Sequence, residues 1–162
     1  MAKIVNIALR AFQFFWTLVI MALVGNMIAD SGSGPSIVNY SMFVAVFAML
    51  TLFYLGFAAF TDSTVIHPML PLVFDALNVI FWFCGAVAFA AELRVHSCSD
   101  QGYLNSNIIT RGSSKRCREG QATTAFLWFG FAAFVASLAF SAMGARSGGS
   151  SGIRRGPAMS QV

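Results

Sequence analysis

Asp75 and Asn78 are polar side chains in a stretch that is otherwise almost wholly apolar, Met69-Leu-Pro-Leu-Val-Phe-Asp-Ala-Leu-Asn-Val-Ile-Phe-Trp82. With Trp82 and Ala86 they fall on one helical stripe, by the i, i+3, i+7, i+11 rule. A carboxylate inside a membrane is costly and therefore marks either chemistry or a structural pair. If it does chemistry, Asp75 carries protons or cations and Asn78 lines the same path. The preferred reading is structural: Asp75 lies within two turns of a helix end and is hydrogen-bonded to a polar group on the first apolar stretch, Asn6 or Gln13. A path needs a continuous polar stripe on more than one helix, and only Gln13 and Asn26 on that stretch extend it.

The cysteines offer a second kind of chemistry. Cys98 and Cys117 lie near the two ends of one loop, between the third and fourth apolar stretches. A bridge between them staples the loop against the helix ends and persists only on an oxidising face of the membrane. Two free thiols on a cytosolic loop are the alternative. A metal site built from His96, Cys98 and Cys117 is weaker, because no C-x-x-C pair supports it. Cys84 is mid-helix and is expected to be a buried thiol. Glu92 and Arg94, at the end of the third stretch, are expected to pair with loop residues or to snorkel.

Nothing else has the spacing of a catalytic site. There is no Ser/His/Asp grouping, no phosphate-binding glycine loop after a strand and no pair of carboxylates on one water-filled face. His67 and His96 belong to loops on opposite sides of the membrane, and Gly32 and Gly34 belong to a turn. The expectation is a protein that is not an enzyme, with no cofactor and no metal.

The elements that position these residues follow from composition. The chain has 162 residues, 57% hydrophobic and 10% charged, with a mean hydropathy of +0.73. A soluble domain of this size lacks the interior to hide so much apolar surface. A hydrocarbon core of about 30 Å takes roughly 20 apolar residues in a helix, and four such runs fill most of the chain. The expected fold class is an all-α membrane protein, a bundle of four transmembrane helices. The expected domain is 1–146, with spans at about 4–28, 40–60, 69–95 and 121–144, followed by a flexible basic tail, 147–162. The first span reads as an uncleaved signal anchor, with Lys3 and Arg10 snorkelling to the headgroups. The second and third form an antiparallel hairpin through Thr61-Asp62-Ser63 and His67-Pro68. The net charge of +4 resides at helix ends, in one loop and on the tail, which suits membrane anchoring rather than nucleic acid.

Small residues recur four apart where helices should meet: Ala86 and Ala90 on the third span, and Ala132 with Ala136, or Ala133 with Ser137, on the fourth. In lipid, such spacing lets backbones approach closely; the plain alternative is that alanine is common in membrane helices. Four spans place both termini on one side. Basic residues are balanced, Lys3, Arg10, Arg146, Arg154 and Arg155 against Arg94, Arg111, Lys115, Arg116 and Arg118, so the positive-inside rule decides nothing. The cysteine argument instead places the loop outside and the termini in the cytosol. The sequon Asn39-Tyr40-Ser41 abuts the second span, out of reach of the transferase. On the tail, Arg154 and Arg155 suit anionic lipid, and Ser160-Gln161-Val162 has a pattern that PDZ domains accept.

Several segments together resemble a known family. Arg94-Val-His-Ser-Cys98, Asn107-Ile-Ile-Thr-Arg-Gly-Ser113, Arg116-Cys-Arg118 and Gln121-Ala122 form the loop signature. Asp75-Ala-Leu-Asn78, Asn39-Tyr-Ser-Met-Phe43 and Ser160-Gln-Val162 fit beside it. The chain is similar in these to the fungal non-classical export protein 2 family, a branch of the MARVEL-domain proteins. The resemblance implies a four-helix MARVEL bundle with cytosolic termini, resident in furrow-like, eisosome-associated microdomains of the fungal plasma membrane. It also implies links to microdomain assembly, sphingolipid-responsive signalling and unconventional export. The function expected is a membrane-domain organiser whose partners are membrane lipids (sphingolipids or sterol), sister molecules in a homo-oligomer and cytosolic eisosome coat proteins. The competing expectations are a small transporter or channel subunit using Asp75, and an adaptor acting through the tail and the stapled loop.

Overall fold

Inside a bilayer no water can satisfy backbone N–H and C=O groups, so apolar runs of this length close their hydrogen bonds internally as helices. The computed structural model describes residues 2–30, 34–60, 70–94 and 96–149. They form α1 (Ala2–Ala29), α2 (Ser36–Phe60), α3 (Leu70–Leu93), the short α4 (Gln101–Ser106) and α5 (Ser114–Gly149). Four of these are long and apolar enough to cross a membrane, over Ile4–Ala29, Ser36–Phe57, Leu70–Leu93 and Ser114–Met143. The protein is an all-α, multi-pass membrane bundle.

α1 and α3 each pack against both α2 and α5, so the ring order is α1, α2, α3, α5, and α1 and α3 face each other across a diagonal. Ile20, Val24 and Met27 of α1, Val44 and Ala48 of α2, Trp82 and Phe89 of α3, and Leu127 and Phe134 of α5 fill the centre. Phenylalanines such as Phe15, Phe53, Phe57 and Phe129 point outward, where in a bilayer they meet acyl chains rather than water.

The α3 stripe points inward, since Asp75, Asn78, Trp82 and Ala86 are all buried. Among the described glycines, the tightest approach of a side chain is at Gly130 of α5. A Cβ placed there would lie 1.9 Å from Cζ3 of Trp82, so the indole occupies the space that any other residue would need. Of the small residues, Ala86 is fully buried and Ala90 partly so, while Ala132 is exposed and Ala136 half-buried. The inward register on α5 is Ala133 and Ser137, both buried. One residue turns a helix by about 100°, enough to carry Ala132 out to the lipid side.

The helix bounds also differ from expectation at the disulfide end. α5 begins at Ser114 rather than near 121, taking Lys115, Arg116 and Glu119 into its first turns. These side chains find partners on neighbouring segments, so their charge does not end the helix. α5 continues through Ser147 to Gly149, into the segment expected as tail. α4 is unheralded by hydropathy. Asp100 caps it, its carboxylate accepting from the Gly102 and Tyr103 amides at 2.9 and 3.3 Å, the usual N-cap arrangement. The hairpin residues 61–69, including His67, and the tail from 150 onward, including Arg154, Arg155 and Ser160–Val162, lie outside the described residues.

Candidate functional site

Arg10, Gln13 and Thr17 stand at i, i+3 and i+7 on α1, and all three are buried. Together they form a polar stripe opposite that of α3. Arg10 meets Asp75 in a two-pronged ion pair, Nη1 to Oδ1 at 2.5 Å and Nη2 to Oδ2 at 2.8 Å. The Ser141 hydroxyl of α5 donates to the same Oδ2 at 2.9 Å. Arg10 also donates to Gln13 Oε1 at 3.1 Å. The Gln13 amide donates in turn to Ser137 Oγ at 2.7 Å and to the Ala133 carbonyl at 3.2 Å. One turn further along α3, Asn78 donates to Thr51 Oγ1 of α2 and to the Phe74 carbonyl, each at 2.9 Å. Polar groups from all four spans therefore converge.

This corrects two expectations. Arg10 does not snorkel to the headgroups; it is buried against Asp75. The partner of Asp75 is neither Asn6, which is exposed, nor Gln13 directly, which bonds to Arg10 instead. A guanidinium matches a carboxylate in shape and charge, and an unpaired ion in lipid costs several kcal/mol, about 3 on insertion scales. The pairing of Arg10 with Asp75 is therefore the low-energy solution for both. The spacing of Arg10, Gln13 and Thr17 is the signal that locates the stripe. Deeper in the core, Asn78 Oδ1 and Trp82 Nε1 are buried without a hydrogen-bond partner among the described residues.

The other end of the bundle is held by a different set of links. Cys98, just beyond α3, is disulfide-bonded to Cys117 in the first turn of α5, with Cα atoms 5.6 Å apart. The loop between them caps the exposed carbonyls at the end of α3. Asn107 Nδ2 donates to the Glu92 carbonyl at 2.7 Å, and the Tyr103 hydroxyl donates to the Leu93 carbonyl. Burial raises the Tyr103 phenol above its ordinary pKa. Arg94, immediately after α3, has φ 45, the left-handed geometry that commonly ends a helix. Arg116 is 5% exposed and donates to the Ile109 carbonyl at 3.0 Å and the Met27 carbonyl at 3.1 Å. It thus places a cation on the negative C-terminal end of α1. Lys115 pairs with Asp30 at 3.0 Å, and Asn26 donates to Glu119 at 2.6 Å.

The remaining expected residues are placed as follows. His96 is exposed and its ring packs at a tilt against Tyr103 with centroids 4.9 Å apart; Cys98 and Cys117 are taken up by their mutual bond. Among the described residues no group of three or more His, Cys, Asp or Glu could hold a metal ion. Cys84 is an exposed thiol, not a buried one, because Gly85 and Ala86 occupy the inward face of that turn. In the sequon, Asn39 is exposed and donates to the Gly34 carbonyl at 3.2 Å, whereas Ser41 is fully buried.

Residues 3–140 match the MARVEL membrane-associating domain. The chain is 41% identical to non-classical export protein 102 of Candida albicans over 160 residues, covering 98% of this chain and 94% of that one. It is 34% identical to non-classical export protein 2 homolog 1 of Saccharomyces cerevisiae, covering 91% and 84% of the two chains. It is 36% identical to the non-classical export protein 2 homolog of Schizosaccharomyces pombe, covering 79% and 71%. No solved structure matches the chain. Neither the domain nor these relatives carry the name of an enzyme. Four apolar spans, the extent of the domain match and likeness along nearly the whole chain together show that the protein belongs to the MARVEL family, in its group of non-classical export proteins.

Proposed function

We propose that the protein is a non-enzymatic organiser of plasma-membrane microdomains, a lipid-responsive scaffold associated with eisosomes. The observation that carries this reading is the closed pairing of Arg10 and Asp75. Both carboxylate oxygens accept from the guanidinium, and Ser141 adds a further donor. A carboxylate saturated in this way fixes helices and has little left to exchange with a travelling ion. The apolar, phenylalanine-rich outer surface is then the face that meets lipids and sister molecules. Sphingolipids or sterols, a homo-oligomer and cytosolic coat proteins are the partners of this reading, and both termini face the cytosol while the disulfide-bonded loop faces outward. The relatives' names speak of non-classical export, and export of proteins that lack a signal sequence is proposed here as a consequence of the organised membrane patch.

The test is live imaging of the tagged protein in a fungal cell before and after sphingolipid depletion. Stable cortical patches that disperse on depletion support the organiser; an even distribution that ignores sphingolipid overturns it. Transport remains a second reading because polar side chains of all four spans converge around Asp75. Proton or cation flux into liposomes that Asp75→Asn abolishes would establish it.

A further inference from the structure

Between α2 and α3, at the disulfide end, lies a groove of about 700 Å³ floored by Tyr40, Cys84, Ala88 and Ala91, with Glu92 and Ile108 at its mouth. Cys84, Ala88 and Ala91 follow the i, i+4, i+7 spacing, so one face of α3 presents small side chains and leaves a slot. The Tyr40 hydroxyl donates to the Phe81 carbonyl at 3.4 Å, laying the ring along the slot's inner wall. The groove lies on the flank of two membrane spans, where its surroundings are acyl chains. A drug-sized ligand site encloses roughly 300–1,000 Å³, and a lipid chain suits this volume and mainly apolar lining.

Glu92 and Ile108 also line a second cavity, of about 490 Å³, with Arg94, His96, Asp100 and Tyr103. This one is polar and lies beyond Leu93, where α3 ends. The two cavities share a lip, so an amphiphile can place its chain in one and its head in the other. Ile108 is 52% exposed in an otherwise polar loop and stands at the junction.

The polar cavity has a mixed chemistry. Glu92 is exposed and lines this cavity, and Asp100 caps α4 through Oδ1. The paired rings of His96 and Tyr103, tilted 38° to one another, stand beside them. Carboxylates next to aromatic faces form a seat for an ammonium group. Arg94 contributes a guanidinium suited to phosphate. A ligand that carries both charges a few ångströms apart matches this arrangement; a net-anionic head would set its charge against Glu92 and Asp100.

We propose that the paired cavity binds one zwitterionic phospholipid of the surrounding bilayer, its ammonium group against Glu92, Asp100 and the His96–Tyr103 rings, its phosphate at Arg94 and one acyl chain in the α2–α3 groove. The site is independent of microdomain formation, so imaging of patches and lipid retention can fail separately.

The experiment reconstitutes the full chain, disulfide intact, into vesicles of equal parts phosphatidylcholine, phosphatidylethanolamine and phosphatidylglycerol, then measures the lipid kept by the protein in native mass spectrometry. One phospholipid with an ammonium head is expected to be kept over phosphatidylglycerol by about threefold to fivefold, the ratio of a partly exposed cation–aromatic contact. Glu92→Gln, at an exposed position, is expected to bring that ratio towards one with an unchanged melting temperature. Ala88→Phe, which fills the groove, is expected to remove the retained lipid altogether. Equal retention of the three lipids by the unaltered chain overturns the proposal, as does a preference for phosphatidylglycerol. Retention that survives both substitutions overturns it as well.

Discussion

Arg10 and Asp75 are 65 residues apart in the chain, yet their side chains meet in the bundle interior with both carboxylate oxygens engaged. They join α1 to α3, the two helices that face each other across the ring rather than packing side by side. The pair thus acts as a strut between elements that side-by-side packing alone does not hold. Its neighbours Ser141 and Gln13 extend the link to α5.

Removing one ion leaves the other buried and uncompensated. Asp75→Leu or Arg10→Met is expected to destabilise the bundle by about 3–5 kcal/mol. The double substitution Arg10→Met with Asp75→Leu is expected to recover much of that loss. Reversible unfolding in mixed detergent micelles measures both. Additive losses would show that the two side chains do not act as a pair.

Gly130 has a comparable constraint of shape. A methyl group added at this position would fall within the Trp82 ring, so Gly130→Ala is expected to cost about 1–3 kcal/mol by overpacking. Trp82→Leu creates a cavity by itself but is expected to relieve the clash when combined with Gly130→Ala. The same unfolding assay reads the non-additivity.

The Cys98–Cys117 bridge joins cysteines 19 positions apart in the chain, and such a closure is worth about 3 kcal/mol. Cys98→Ser with Cys117→Ser is expected to lower stability by that order and to loosen the loop over α3. In a Cys84→Ala background, thiol labelling of intact cells should appear only after reductant. Labelling without reductant would defeat the placement of this loop on an oxidising face.

The Tyr103 phenol has a pKa raised by burial, and its hydroxyl donates to the Leu93 carbonyl. A folded-state pKa above the unfolded value, about 10 for tyrosine, stabilises the fold fully below that pH. The stabilisation is lost as pH rises through the folded pKa, because the phenolate cannot donate. Alkaline unfolding of the unaltered chain is therefore expected to carry this contribution, and Tyr103→Phe to lack it. Tyr103→Phe is also expected to cost about 1 kcal/mol at neutral pH. An identical alkaline profile in the two proteins would remove Tyr103 from the account.

Length and hydropathy are local properties, and they determined the four helices, their order along the chain and the all-α class: each run must bond its own backbone in lipid. The i, i+3, i+7 rule likewise placed Asp75, Asn78, Trp82 and Ala86 on one stripe of α3, which the packing of the bundle buries. A charged residue near a span's end looks the same whether it reaches outward to headgroups or inward to a partner, so Arg10 was decided only by packing, when Asp75 arrived from another helix. The rotation of each helix about its axis was also a matter of packing. It turned Ala133 and Ser137 inward, Ala132 and Cys84 outward, and set Gly130 under Trp82. Where a helix is apolar on all sides, its own sequence carries little information about which side is inside, and the contacts between helices settle the choice.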